Sequence, residues 1–150
     1  MAKSNREHFM NEKFQVESGH DPNTLIQFLE DKLYEFNSAI THKDDGRLFA
    51  RIIRDENKSI IAGIAGWTWA GVCEVTQLWV DEKNRNQDFG TLLLSAAEDE
   101  AKKQGCLKVL IKTYSFQASG FYLKSGYQIE HTIVDFPIDY NYCIMSKKIG

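Results

Sequence analysis

Proline is scarce in this chain: Pro22 and Pro137 are the only two among 150 residues. No Pro/Ser-rich linker and no fixed-period repeat is present, which argues against tethered domains or a solenoid. Cysteine is scarce too. Cys73, Cys106 and Cys143 are odd in number and widely spaced, with no CxxC. That suits reduced thiols in a cytosolic protein better than a disulfide framework. A basic excess is also missing: 18 Lys+Arg against 21 Asp+Glu leave a net charge of −3. With its lysines scattered, the composition does not suggest the basic face that counterion release needs, so no nucleic-acid partner is expected. The longest uncharged stretch, between Lys58 and Glu74, is shorter than the roughly 20 apolar residues a membrane span needs, and Gly63, Gly66 and Gly71 interrupt it. Met1 to Arg6 lead into no apolar signal-peptide core. No HExxH and no clustered Cys/His spacing occurs, so no metal is expected. These absences point to a cytoplasmic protein without a membrane partner.

The composition is ordinary for a globular chain, with 43% hydrophobic and 26% charged residues. A domain of this length buries roughly 70% of its unfolded surface, so residues 1–150 are expected to form one domain. Lys13 to Glu17 reads as a short first strand. Asp21-Pro22 opens a helix, with Asp as cap and Pro where no N–H partner is needed. Leu25, Leu29, Leu33, Phe36 and Ile40 then follow at the spacing of one buried helical face. Leu48–Ile53, Ile60–Ala70 and Val72–Val80 read as three strands of an antiparallel meander with turns at Asp55 to Lys58 and Ala70-Gly71. Gly90–Gln104 is helical in period and ends on Lys102-Lys103 before Gly105, both C-terminal signals. Leu107–Ile111 reads as a strand and Phe116–Lys124 as a short helix closed by Gly126. Tyr127–Val134 and Tyr140–Ser146 read as two last strands about Pro137. The order β-α-β-β-β-α-β-α-β-β predicts an α/β fold: a mixed, mostly antiparallel sheet of six to seven strands flanked by helices.

Two segments carry chemistry. The first runs from Leu78-Trp79-Val80 through Arg85-Asn86-Gln87-Asp88-Phe89-Gly90-Thr91, a strand feeding a helix N-terminus. Unpaired N–H groups and the positive helix end favour a bound phosphate there. Gly90 allows close backbone approach, and Arg85 adds positive charge. The segment is neither GxxxxGK[ST] nor GxGxxG. The second, Ser115-Phe116-Gln117-Ala118-Ser119-Gly120-Phe121-Tyr122, sets a phenol on a short helix after a strand, where Tyr122 could donate a proton into a cleft. Taken without the first segment, Phe121, Tyr122 and Tyr127 read better as core aromatics with satisfied hydroxyls.

Together the two segments resemble the GCN5-related N-acetyltransferase (GNAT) superfamily. Its acetyl-CoA motif, R/Q-x-x-G-x-G/A, is matched by Arg85 to Gly90. Its downstream A-x-x-x-Y-x-K-x-G-F/Y is matched by Ala118, Tyr122, Lys124, Gly126 and Tyr127. The run Ser115 to Ala118 followed by Phe121-Tyr122 looks like one bacterial subgroup in particular. The resemblance covers Val72 to Tyr127 and is topological only outside it. Asp88 departs from the pattern, standing where the family has its first glycine. Its carboxylate lies near the expected pyrophosphate, so it is expected to point away or to be offset by Lys83 or Arg85. Ser115 departs as well, standing where many relatives carry asparagine.

The resemblance implies an N-acetyltransferase in which a primary amine attacks acetyl-CoA directly and coenzyme A leaves. Backbone N–H groups from Arg85 to Thr91 would hold the pyrophosphate. The strand Leu78-Trp79-Val80 would pair with the pantetheine, and the Val80 N–H would polarise the thioester carbonyl. Ser115, Ala118 and Phe121 would complete the cofactor site, with Tyr122 as general acid. Glu74, four residues before Leu78, is the candidate base, with His42, His131 and Asp135 behind it; an edge carboxylate is an equal reading of Glu74. Glu130, Asp135 and Asp139 hint at a cationic acceptor, whether a small molecule or a protein amine, and a solvated acidic face explains them equally. Covalent acetylation of Cys73 or Cys106 is not expected. Dimers are common in the family, which allows a homodimer. The competing readings are a non-catalytic acyl-CoA-binding or regulatory module and a pure interaction protein.

Overall fold

The computed structural model describes residues 14–150. Its elements are α1 (Pro22–Thr41), β1 (Arg47–Arg54), β2 (Ile60–Trp69), β3 (Val72–Val80), α2 (Phe89–Lys103), β4 (Lys108–Tyr114), α3 (Ser119–Lys124), β5 (Gln128–Val134) and β6 (Asn141–Lys148), with a 3-10 turn at Glu82–Asn84. Two compact units contain them, one ending at Ile40 and the other running from Thr41 to Gly150.

In the first unit, the Asp21 carboxylate accepts the Thr24 N–H at 2.9 Å and the Thr24 hydroxyl at 2.7 Å. These bonds make it the helix cap and hold its carboxyl below the ordinary range. Two expectations fail here. Lys13 lies outside the described residues, and Phe14–Glu17 form no strand; a strand needs a neighbour for its backbone groups, and no described strand pairs with them. The stripe Leu25, Leu29, Leu33, Phe36 and Ile40 is exposed. An apolar stripe is buried only against another element, and this unit has no second one among its described residues.

The second unit is built on a six-stranded sheet in the order β1-β2-β3-β4-β6-β5. Every pairing is antiparallel except β3 with β4. A parallel pair needs a crossover, and α2 supplies it. Its buried residues Leu93, Leu94, Ala97 and Ala101 join a core with Ala62, Ile64, Cys73, Val75, Val109, Ile111 and Met145, the inward residues of period-2 strands. At the far end, Glu98 on α2 accepts the Tyr127 hydroxyl at 3.0 Å and the Lys147 ammonium at 3.0 Å, tying α2 to the segment after α3 and to β6.

Two irregularities open the sheet. Gly66 opposes Val75 while Ala65 opposes Gln77, leaving Thr76 as a bulge. Gly66 is required there because a Cβ would collide with the Glu74 carbonyl oxygen. The β3–β4 pairing then ends at Val75–Ile111. Beyond it β3 stays with β2 as far as Val80–Ala62, and β4 stays with β6 as far as Tyr114–Tyr142. The strands therefore part in the middle of the sheet. This pairing also carries β4 three residues past the expected Ile111. Gln117 delays α3 from the expected Phe116 to Ser119: its Oε1 accepts the Tyr114 N–H at 3.0 Å, and its own N–H donates to the Tyr114 carbonyl at 3.0 Å.

Candidate active site

The gap between β3 and β4 is a cleft of about 960 Å³, the upper end of the usual size for a ligand site. Val75 to Val80 line one wall, Ile111 to Thr113 the other, and the α2 N-terminus and α3 close the ends. The Asp81 N–H donates to the Ile61 carbonyl at 2.8 Å. Residues of an antiparallel strand alternate in the side their N–H and C=O groups face. The backbone groups of Leu78 and Val80 therefore face away from β2, toward the cleft. The Arg85 Nε–H donates to the Val80 carbonyl at 3.3 Å.

The β3–α2 connection presents a run of unengaged backbone N–H groups. Asn86 and Asp88 are left-handed, with φ of 63° and 61°, and such residues among right-handed ones turn successive N–H groups inward to form a nest. The Arg85 N–H is already donated to the Glu82 carbonyl, at 3.4 Å, and the Leu92 N–H to the Asp88 carbonyl, at 2.9 Å. Between them, the N–H groups from Asn86 to Thr91 have no acceptor among the described residues. The run of unengaged N–H groups thus starts one residue later than Arg85. Gly90 has a packing role as well, since a Cβ there would lie 3.3 Å from the Phe121 ring. Asp88 occupies the N-cap position of α2 but makes no capping bond. It forms no ion pair with Lys83 or Arg85 among the described contacts.

Tyr122 lines the cleft from α3. It is 5% exposed, and its ring packs at 5.2 Å from Phe121 and 5.9 Å from Tyr127. Burial pushes its pKa up to about 12, because the phenolate would lose its hydration. The phenol therefore stays neutral throughout the physiological range.

Of the other expected site residues, Leu78, Trp79, Val80, Arg85, Asn86, Asp88, Phe89, Gly90, Thr91, Ala118 and Phe121 line the cleft. Gln87, Ser115 and Glu74 do not. Ser115 is engaged elsewhere: its hydroxyl accepts the Asn141 N–H at 3.0 Å, fastening the β4–α3 turn to β6. Glu74 is buried, and its carboxylate lies 2.8 Å from the Lys112 ammonium. That hydrogen bond keeps Lys112 charged, with its pKa raised. Burial likewise pushes the Cys73 thiol up to about 12, which suits packing and not nucleophilic attack. Lys112, Thr113, Phe116 and Gln117 are cleft residues that the sequence reading did not assign. For Lys112 and Thr113 the signal was the strand period itself, which had only to be continued past Ile111.

Residues 7–127 match the family described as the acetyltransferase (GNAT) family. Blasticidin-S acetyltransferase of Streptomyces morookaense is 33% identical over 94 residues, which is 60% of this chain and 67% of that protein. An acetyltransferase of Agrobacterium fabrum is 33% identical over 99 residues, 66% of this chain and 72% of that one. The crystal structure of an acetyltransferase from Bacillus cereus superposes with a TM-score of 0.77 at 26% identity, covering 92% of this chain and 99% of the other.

Proposed function

The chain belongs to the GNAT acetyltransferase family, and from that premise we propose that it transfers the acetyl group of acetyl-CoA to an amine acceptor. The proposal takes residues 1–150 as one catalytic domain, supported by a family match that runs across both compact units. The observation that carries the reading is the cradle of unengaged N–H groups from Asn86 to Thr91 opening onto the parted strands. Six such donors at a helix start fit a pyrophosphate. The backbone edge of β3 at Leu78 and Val80, engaged by the Arg85 side chain only at the Val80 carbonyl, fits an amide-bearing arm laid beside it as an added strand.

The donor supplies an acetyl thioester, whose C–S bond is exchanged for an amide C–N bond while coenzyme A departs as a thiol. The protein's part is to orient and to move protons. The outward N–H of Val80, or of Leu78 beside it, polarises a carbonyl held against β3. The Tyr122 hydroxyl holds the proton that a departing thiolate needs. Glu74 is better suited to holding Lys112 than to acting as a base, since an ammonium at 2.8 Å already occupies its carboxylate. The acceptor amine then loses its proton to solvent. Accordingly, Glu74→Gln is expected to lower kcat/KM by no more than about threefold, whereas removal of a working general base costs on the order of 10²-fold or more. The rise of the pH–rate profile should follow the acceptor's own amine in both proteins. A hundredfold loss in Glu74→Gln would restore Glu74 as the base.

The proposal is tested by a thermal melt with acetyl-CoA. Ligand at 100 times its Kd adds about 2.7 kcal/mol, roughly a 5–10 °C rise in Tm for a domain of this size. That rise is expected with acetyl-CoA and not with ADP at the same concentration. Equal melts with and without acetyl-CoA would remove the reading.

A further inference from the structure

Five aromatic rings form one continuous ledge at the mouth of the cleft. Tyr114, the last residue of β4, lies opposite Tyr142 of β6, with ring centroids 4.9 Å apart. Phe136 packs on Tyr142 at 5.1 Å, and Phe116 stacks on Tyr114 at 5.3 Å with the planes 6° apart. Tyr140 sets its edge against Phe116 at 4.9 Å. Alternation along β4 puts Tyr114 on the face opposite Ile111, Thr113 and the α2 core. The ledge thus stands across the parted sheet from the core that α2 covers. It is continuous with the cleft, because Phe116 belongs to both.

Rings buried for stability alone do not stay this exposed: Phe116 is 55% exposed, and Phe136 and Tyr140 are each 49% exposed. The turn beside them carries charge of one sign. The β5–β6 turn carries Asp135 and Asp139 and no basic residue. Neither makes an ion pair among the described contacts. The nearby cation of the cleft wall, Lys112, is held by Glu74. Aromatic faces and unpaired carboxylates attract the same partner, a weakly hydrated organic cation.

We propose that this ledge selects acceptors carrying a second, permanently cationic group, which it holds while their primary amine lies in the cleft. The inference rests on the acetyltransferase reading and deepens it. The carboxylates can be tested without disturbing the turn. Asp135 and Asp139 have φ of 55° and 71°, a conformation asparagine tolerates equally. The bond from the Asp139 N–H to the Asp135 Oδ1, at 3.3 Å, can also be accepted by an asparagine oxygen.

The test compares an aminobutyl trimethylammonium with its neutral tert-butyl isostere, each with one acetylatable amine. Coenzyme A release gives kcat/KM, and calorimetry on the coenzyme A-loaded protein gives acceptor affinity. The charged acceptor is expected to be favoured about fivefold or more in both measurements. Tyr140→Leu, which keeps apolar area but loses the ring, and the Asp135→Asn/Asp139→Asn double variant should each bring that ratio toward one with unchanged acetyl-CoA affinity. Turnover of both acceptors at equal rates, or preference for the neutral one, overturns the ledge while leaving the acetyltransferase intact. A ratio that the variants leave unchanged also overturns it. Failure of the acetyl-CoA melt shift would instead strike the reading beneath it.

Discussion

Tyr122→Phe is expected to cut turnover by about 10²- to 10³-fold while leaving the Kd for acetyl-CoA within about twofold of its starting value. The size of the loss is that of a positioned general acid. The selectivity follows from geometry. The Tyr122 hydroxyl has no hydrogen-bond partner among the described side chains, while its ring packs on Phe121 and Tyr127. Phenylalanine keeps that packing and leaves no protein partner unsatisfied, so the variant should fold with near-original Tm. An independent readout comes from alkaline stability. An unfolded tyrosine ionises near pH 10, whereas Tyr122 in the folded chain is held neutral to about 12. Its contribution is therefore fully present below pH 10 and is lost as pH rises toward 12. That is on the order of 2–3 kcal/mol. Tyr122→Phe should flatten this part of the stability curve; the raised Tyr127 pKa leaves a residual slope. Turnover retained in full, with the alkaline slope reduced, would show Tyr122 to be a buried core phenol and nothing more.

What the sequence made legible was the frame of the site, and what it hid was side-chain allegiance. Strand alternation and helix-end signals located β3, α2 and α3 to within a few residues, because those elements answer to local rules: period, caps and glycine stops. The Arg85–Gly90 and Ala118–Tyr127 patterns then set the cradle and the phenol on one cleft. Glu74, Ser115 and Gln87 sit within or beside the same patterns, yet line nothing. Their partners are Lys112, 38 positions away, and Asn141, 26 positions away, or, for Gln87, none that is described. Such pairings depend on β4 lying between β3 and β6, a register no local spacing encodes. The aromatic ledge is hidden in the sequence for the same reason. Tyr114 and Tyr142 meet only because β4 and β6 pair to their ends, and the sequence alone had stopped β4 at Ile111. The stripe of α1 shows the converse: a helical period announces an apolar face without saying what covers it.

Asp88 is the second place where a large effect is expected, and its direction is a gain. Removing its charge should tighten acetyl-CoA binding by about tenfold or more. A carboxylate some 5 Å from a pyrophosphate charge costs at most about 3 kcal/mol at an effective dielectric near 20, and less when solvated. No ion pair relieves Asp88 among the described residues. Its φ of 61° explains why the family pattern has glycine at this place. Left-handed backbone is strained for most residues, and aspartate is among the few that tolerate it. The chain thus keeps the left-handed backbone at this place while setting a carboxylate at the start of α2. Charge and backbone separate cleanly. Asp88→Asn removes the charge and keeps a side chain suited to this φ, whereas Asp88→Gly removes both charge and side chain. If repulsion is the cause, both variants bind acetyl-CoA more tightly, the gain shrinks in high salt, and phosphate-free acetyl-pantetheine binds all three proteins alike. Tightening in Asp88→Gly alone would assign the cost to the side chain's bulk in the cradle. Unchanged affinity in both would mean that the pyrophosphate lies away from Asp88, displacing the cradle from the start of α2 and with it the observation on which the functional reading stands.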